Sequence, residues 1–85
     1  MGRWVSTPSY KDVGEVIAVA RREAGFTQRA LAERLGRPNS VVASIEMGDR
    51  RVDVVELTLI ARAIGIDEVE LFKRIRDVLG PGTSL

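Results

Sequence analysis

At 85 residues, 45% of them hydrophobic and 29% charged, the chain has the composition of one small globular domain rather than of a disordered segment. Having neither cysteine nor histidine, it can form no disulfide, thiolate nucleophile, Cys- or His-ligated metal site or Ser-His-Asp triad. The net charge of +1 is too small to point to nucleic acid by itself, and the longest apolar run, residues 16–20, falls far short of the roughly 20 residues that span a bilayer.

Residues 1–9, including Pro8, read as a polar arm ahead of the domain. The start shows no apolar h-region of a secretory signal. It fits the loose myristoylation pattern at Gly2 and Ser6, but an ordinary chain start is the simpler reading. The absence of cysteine fits a reducing compartment, so a cytoplasmic location is expected.

From residue 10 the pattern is helical. Val13, Val16, Ile17, Ala20 and Ala24 share one helix face. Ser9 or Asp12 is expected to cap this helix, Asp12 with Glu15 at capping-box spacing, and Gly25 to end it. Thr27 is a good N-cap for a second, short helix with Leu31, Ala32 and Leu35 inward and Gly36 at its close. Pro38 tolerates only a first-turn position, so a third helix is expected from residue 38 or 39. Val42 and Ile45 would face inward from it, against the first and fourth helices, and Gly48 would stop it.

The last two helices open with the same device. Asp53 and Glu56 have N-cap and N3 spacing, with Val52 and Leu57 as a hydrophobic staple; Asp67, Glu70, Ile66 and Leu71 repeat it. The fourth helix would bury Leu57, Ile60, Ala61 and Ile64 and end at Gly65. The fifth carries Val69, Phe72, Ile75 and Leu79 and would end at residues 80–82. No segment alternates with period two, so the fold class is all-α: five helices over residues 10–79, followed by a tail at 80–85.

Charge is unevenly spread. Residues 21–51 carry seven arginines and four carboxylates, net +3, whereas residues 52–85 are net −2. The basic stretch coincides with the most informative pattern, Gly25-Phe26-Thr27-Gln28-x-x-Leu31-Ala32-x-x-Leu35-Gly36, then Val42-x-x-Ile45-Glu46-x-Gly48. Two short helices joined by about four residues including a glycine must cross steeply, which is helix-turn-helix geometry. Asn39, Ser40, Ala43, Ser44 and Met47 are left on the outer side of the second of these helices.

These residues resemble the Cro/CI-type, or XRE-type, helix-turn-helix DNA-binding domains of phage and bacterial repressors. The resemblance covers about residues 10–79 and is most specific over 25–48, with support from Arg50-Arg51 and from Asp53-x-x-Glu56-Leu57. It implies a compact, lambda-repressor-like five-helix bundle whose third helix enters the major groove of double-stranded DNA. By the same resemblance, Asn39, Ser40 and Ser44 reach base edges, while Gln28, Arg37, Arg50 and Arg51 approach phosphates. Arg21 and Glu46 match a structural ion pair that ties the first helix to the recognition helix. The chain departs from the pattern at Asn39, where many relatives carry Gln, at Ala43 and Ser44, often basic in relatives, and at Pro38, which replaces a Ser or Thr cap.

The reading is a sequence-specific transcriptional regulator of bacterial or phage type, acting on the nucleoid, with no cofactor, metal or small-molecule ligand implied. The alternative is an antitoxin-like or adaptor module of the same fold with DNA binding secondary. An enzyme is disfavoured, because the carboxylates sit at caps and solvated faces. One helix-turn-helix contacts few base pairs, so a symmetric homodimer is expected, through Phe72, Ile75 and Leu79 of the fifth helix and with the arm, which carries Trp4 and Val5, as a further element.

Overall fold

The computed structural model describes residues 8–84. Within them the chain forms α1 (Pro8–Glu23), α2 (Gln28–Leu35), α3 (Asn39–Met47), α4 (Val54–Ile64) and α5 (Glu68–Val78), and no strand. Gly2, Trp4, Val5 and Ser6, each given an expectation above, lie outside the described residues.

Local chemistry accounts for most boundaries. The Thr27 hydroxyl accepts the Ala30 N–H at 3.0 Å and so opens α2. Asp53 opens α4 with a complete capping box: its carboxylate accepts the Glu56 N–H at 2.7 Å, and the Glu56 carboxylate accepts the Asp53 N–H at 3.3 Å. The second box closes only halfway. Asp67 accepts the N–H groups of Val69 and Glu70 at 3.0 and 3.1 Å, but the Glu70 carboxylate lies instead 3.6 Å from Arg74, one turn on.

Two expectations for α1 differ, whereas α3 begins at Asn39, where expected. α1 begins at Pro8, so Asp12 sits inside the helix rather than at its cap, and residues 8 and 9 belong to the helix rather than to an arm. Proline suits a first helical position because its missing N–H is one that no helix satisfies. Ala24 falls beyond the end of α1 and is exposed. Pro38 is the N-cap of α3, in extended conformation (φ −61°, ψ 149°), and makes no side-chain capping bond.

The core is aliphatic. Ile17, Leu31, Val42, Ile60 and Leu71 are fully enclosed, joined by Val16, Ala20, Ala32, Ile45, Ala61, Ile64 and Ile75. Each large side chain removed from water in this way contributes about 1.5–3 kcal/mol. Helix α1 packs on α3 and α5, α2 packs on α3 and α4, and α4 packs on α5. Helix α3 is therefore held chiefly by α1, as expected, and by α2, while Val42 and Ile45 also share the core cluster with Ile60 of α4.

Helix α5 turns only one of its apolar stripes inward. Leu71 and Ile75 are buried and Leu79 packs against the core, whereas Val69 and Phe72 are 60% and 52% exposed. Ile75, expected at a dimer interface, is 5% exposed and belongs to the core of its own chain. Leu79 is likewise committed to that core, and only Phe72 of the three projects outward.

Candidate nucleic-acid interface

The turn between α2 and α3 sets the geometry. Gly36 adopts φ +66°, the left-handed region that a side chain disfavours, and its N–H returns to the last turn of α2. The Arg37 N–H reaches back to the Ala32 carbonyl at 3.0 Å. The chain then runs extended through Pro38 into α3. Inward, Leu31 and Ala32 of α2 join Val42 and Ile45 of α3 in the same core cluster.

Helix α3 is fixed from behind by α1. The Arg21 Nε and Nη2 donate to the two carboxylate oxygens of Glu46 at 2.6 and 3.0 Å, a bidentate pair. Arg21 Nη1 also donates to the Phe26 carbonyl at 2.7 Å, just past the end of α1. Gln28 Nε2 donates to Glu46 Oε1 at 2.8 Å. One carboxylate thus joins α1, the start of α2 and the end of α3. The Arg21 and Glu46 side chains are only 9% and 5% exposed.

Two glycines bring the backbones together. A Cβ on Gly14 would lie 2.5 Å from the carbonyl oxygens of Ile45 and Glu46, so α1 crosses α3 with no room for a methyl group. A Cβ on Gly48 would lie 2.7 Å from Cα of Lys11, and Gly48 also holds φ +81°. Both residues press the C-terminal end of α3 against α1. Gly14 went unassigned from sequence, although a glycine amid an amphipathic helix is the signal of such a close approach.

What α3 leaves outward is its first turn and one flank. Asn39, Ser40 and Met47 are exposed, and Ala43 and Ser44 half-buried. Glu46 is the only charged residue of α3, and its carboxylate is turned inward, so the helix presents no anion to its surroundings.

The four residues expected at phosphates stand differently from one another. Gln28, half-buried, holds Glu46. Arg37, on the turn before α3, is exposed, as is Arg51 after it. Arg50 is half-buried and paired with Glu56 of α4, while its Nε is enclosed without a hydrogen-bond partner. The Arg50–Glu56 pair was not foreseen; it spans a loop, where helical spacing gives no cue. Arg34, also outside the expected set, stacks 4.7 Å over the Phe26 ring and donates to the Ala63 carbonyl, which ties α2 to α4.

Residues 17–71 match the family model described as Helix-turn-helix. The chain belongs to the XRE-type helix-turn-helix family. It is 39% identical over 61 residues to an uncharacterized HTH-type transcriptional regulator, y4dJ, of Sinorhizobium fredii, covering 72% of this chain and 79% of that protein. Among solved structures, an XRE-family like protein from Pseudomonas syringae pv. tomato shares 38% identity, with a TM-score of 0.73 over 85% of this chain and 88% of the other. The restriction-modification controller protein C.Esp1396I, solved as a tetramer in complex with its natural 35 base-pair operator, shares 25% identity, with a TM-score of 0.74 over 84% of this chain and 93% of the other. Helices α2 and α3 both lie within the matched stretch.

No described helix is long and apolar enough to cross a membrane. Among the described residues, no group of three or more acidic side chains is arranged to hold a metal ion.

Proposed function

We propose that this protein is a DNA-binding transcriptional regulator that inserts α3 into the major groove. The observation that carries this reading is the way α3 is mounted: one face is locked to α1 and α2 through Glu46, its only carboxylate is hidden, and its exposed first turn carries Asn39 and Ser40. A rigid helix with an uncharged, hydrogen-bonding outer face is suited to base edges, whereas an exposed carboxylate would be repelled by phosphate.

In this reading Asn39 is the principal reader, since an amide can pair bidentately with adenine, and Ser40 and Ser44 make weaker contacts to base edges. Arg37 and Arg51 supply phosphate contacts on either side of α3. Gln28, with Nε2 turned to Glu46, contributes at the start of α2, where N–H groups and the helix dipole favour a phosphate. Arg50, neutralised by Glu56, contributes less. The protein works on nucleoid DNA in the cytoplasm of a bacterial or phage-infected cell.

Two copies act together. Half-sites one turn of DNA apart would place the two α3 helices about 34 Å from each other. The exposed Val54, Val69 and Phe72 supply an apolar face for that pairing. The same face supports the second reading, a protein-interaction module, in which the partner is another protein rather than a second copy.

Selection of bound sequences from a random double-stranded DNA pool tests the assignment. Enrichment of an imperfect palindrome is expected, and Asn39→Ala should relax preference within each half-site by about 1–3 kcal/mol of discrimination. If no sequence is enriched, the protein-interaction reading stands; if a site is enriched but Asn39→Ala and Ser44→Ala leave it unchanged, the reading face is misassigned.

A further inference from the structure

Helix α3, Asn39 to Met47, contains no arginine or lysine. The commonest specific contact to a G·C pair is an arginine or lysine on guanine O6 and N7, and α3 has neither residue to make it. The corresponding contact to cytosine is a carboxylate that accepts from N4. The one carboxylate of α3, Glu46, is held by Arg21 and Gln28 and turned inward. Both strong means of recognising a G·C pair are therefore missing from the outer face of the helix.

That face presents hydrocarbon instead. At about 100° of rotation per residue, Ser40, Ala43 and Met47 fall on one line along α3, opposite the buried Val42 and Ile45. Met47 is 61% exposed, whereas the other large hydrophobic side chains that stand exposed among the described residues belong to α4 and α5. Ser40, Ala43 and Ser44 are short, so base edges can come close to the helix. Met47 is longer and, with three rotatable bonds and a polarizable sulfur, adapts to an irregular apolar surface. From residue 40 to residue 47 the helix rises about 10 Å, the rise of about three base pairs.

We propose that Ala43 and Met47 are specificity residues that contact the C5-methyl groups of thymines in the major groove, so that α3 selects half-sites rich in A·T pairs. The thymine methyl is the one hydrocarbon group that the four bases display in that groove, and an alanine methyl and a thioether chain match it by excluding water from both surfaces. Asn39 points to the same base pair, because its amide pairs with adenine N6 and N7. The inference rests on the DNA-binding reading and adds to it the base composition of the site and the residues that choose it.

The experiment uses the full chain and the double-stranded site that it enriches from a random pool. Each thymine of a half-site is replaced in turn by deoxyuridine, which keeps the O4 acceptor and the base pairing and lacks the methyl group. The expected result for the wild type is an A·T-rich half-site in which Kd rises about fourfold at two or more thymines, the equivalent of one buried methylene at each. One of these replacements should lose its effect on Met47→Ala and another on Ala43→Gly, the non-additivity that marks a direct contact. Met47 is exposed, so Met47→Ala should keep its helical circular dichroism and decides the matter by itself if Ala43→Gly does not fold. Deoxyuridine without effect on the wild type would overturn the proposal, as would an equal effect on the wild type and on Met47→Ala, or a half-site dominated by G·C pairs. Each of these three results leaves DNA binding standing; enrichment of no site at all would overturn both the proposal and the reading on which it rests.

Discussion

Arg21 of α1 and Glu46 of α3 are separated by 24 intervening residues, yet two hydrogen bonds of 2.6 and 3.0 Å join them, and Gln28 adds a third to the same carboxylate. The pair is nearly sealed from water. Two opposed effects follow: desolvation offsets most of the attraction, but removal of one partner strands a charge. Arg21→Ala or Glu46→Ala should therefore cost about 3–5 kcal/mol in unfolding free energy by urea titration, while the double replacement Arg21→Met, Glu46→Leu costs much less than the sum. Strictly additive losses would show that the two side chains act independently.

Gly14→Ala should destabilise, although glycine to alanine inside a helix ordinarily gains about 1 kcal/mol. The added methyl would meet the backbone carbonyls of Ile45 and Glu46 at 2.5 Å, and carbonyls of a packed helix cannot swing aside as a flexible side chain can. Overpacking of this kind costs about 1–3 kcal/mol. Because α3 must shift to relieve it, DNA affinity should fall with stability. Thermal unfolding of the single variant suffices: a raised Tm would mean that α1 and α3 are not in close contact.

The helices themselves were legible in the sequence because their signals are local. Thr27, Asp53 and Asp67 each act on N–H groups two or three residues away, and Gly36 and Gly48 stop their helices by their own backbone conformation. The inward faces of α1 to α4 follow from spacing alone. Helix α5 does not, since Val69, Leu71, Phe72, Ile75, Val78 and Leu79 offer two apolar stripes. The path of α1 and α4 decides that Leu71 and Ile75 go inward while Val69 and Phe72 stay out. At the interface, Arg21 and Glu46 were readable through family resemblance, whereas the tie between Arg50 and Glu56 and the crossing at Gly14 depend on tertiary approach.

Salt dependence should separate the arginines. Each phosphate contact adds about 0.9 to the magnitude of the slope of log K against log salt. Arg37 and Arg51 are exposed, so Arg37→Ala and Arg51→Ala should each reduce the slope by about that amount. Arg50 is already paired with Glu56, so Arg50→Ala should change the slope less and stability more, because it leaves the capping-box carboxylate without its cation. Binding titrations from low to moderate salt give all three values. Equal slopes for the three variants and the wild type would remove these residues from the phosphate contacts.

Glu68 offers a pH test. Its carboxyl is held below the usual carboxylate range first by a hydrogen bond from Arg62, 2.6 Å away, then by its own backbone N–H and by the Arg62 charge. A lowered folded-state value means stability is present above the ordinary carboxylate range and lost as pH falls through the folded value. The pair is exposed and screened by salt, so the effect is small. Tm of wild type should exceed that of Glu68→Gln at neutral pH and low salt, and the gap should close in acid and in high salt. A gap that persists at the acid end would point to a cause other than the charge.

The assembly prediction turns on two residues of α5 only three positions apart. Phe72 is 52% exposed and Ile75 is 5% exposed, so the same change should have different consequences at the two sites. Phe72→Glu introduces a charge on the outer face without disturbing the core. If two copies pair through that face, it should convert a dimer to a folded monomer, because burying an unpaired carboxylate at an interface costs far more than the apolar contact it replaces. Affinity for a single half-site should then be retained and affinity for the full palindrome lost. Ile75→Glu places the carboxylate in the monomer core and should instead unfold the chain, with loss of helical circular dichroism. Sedimentation of the wild type and Phe72→Glu at tens of micromolar, with and without operator DNA, distinguishes these outcomes. A wild type that stays monomeric in both conditions, or a Phe72→Glu variant that still dimerises, would place the pairing surface elsewhere or remove it.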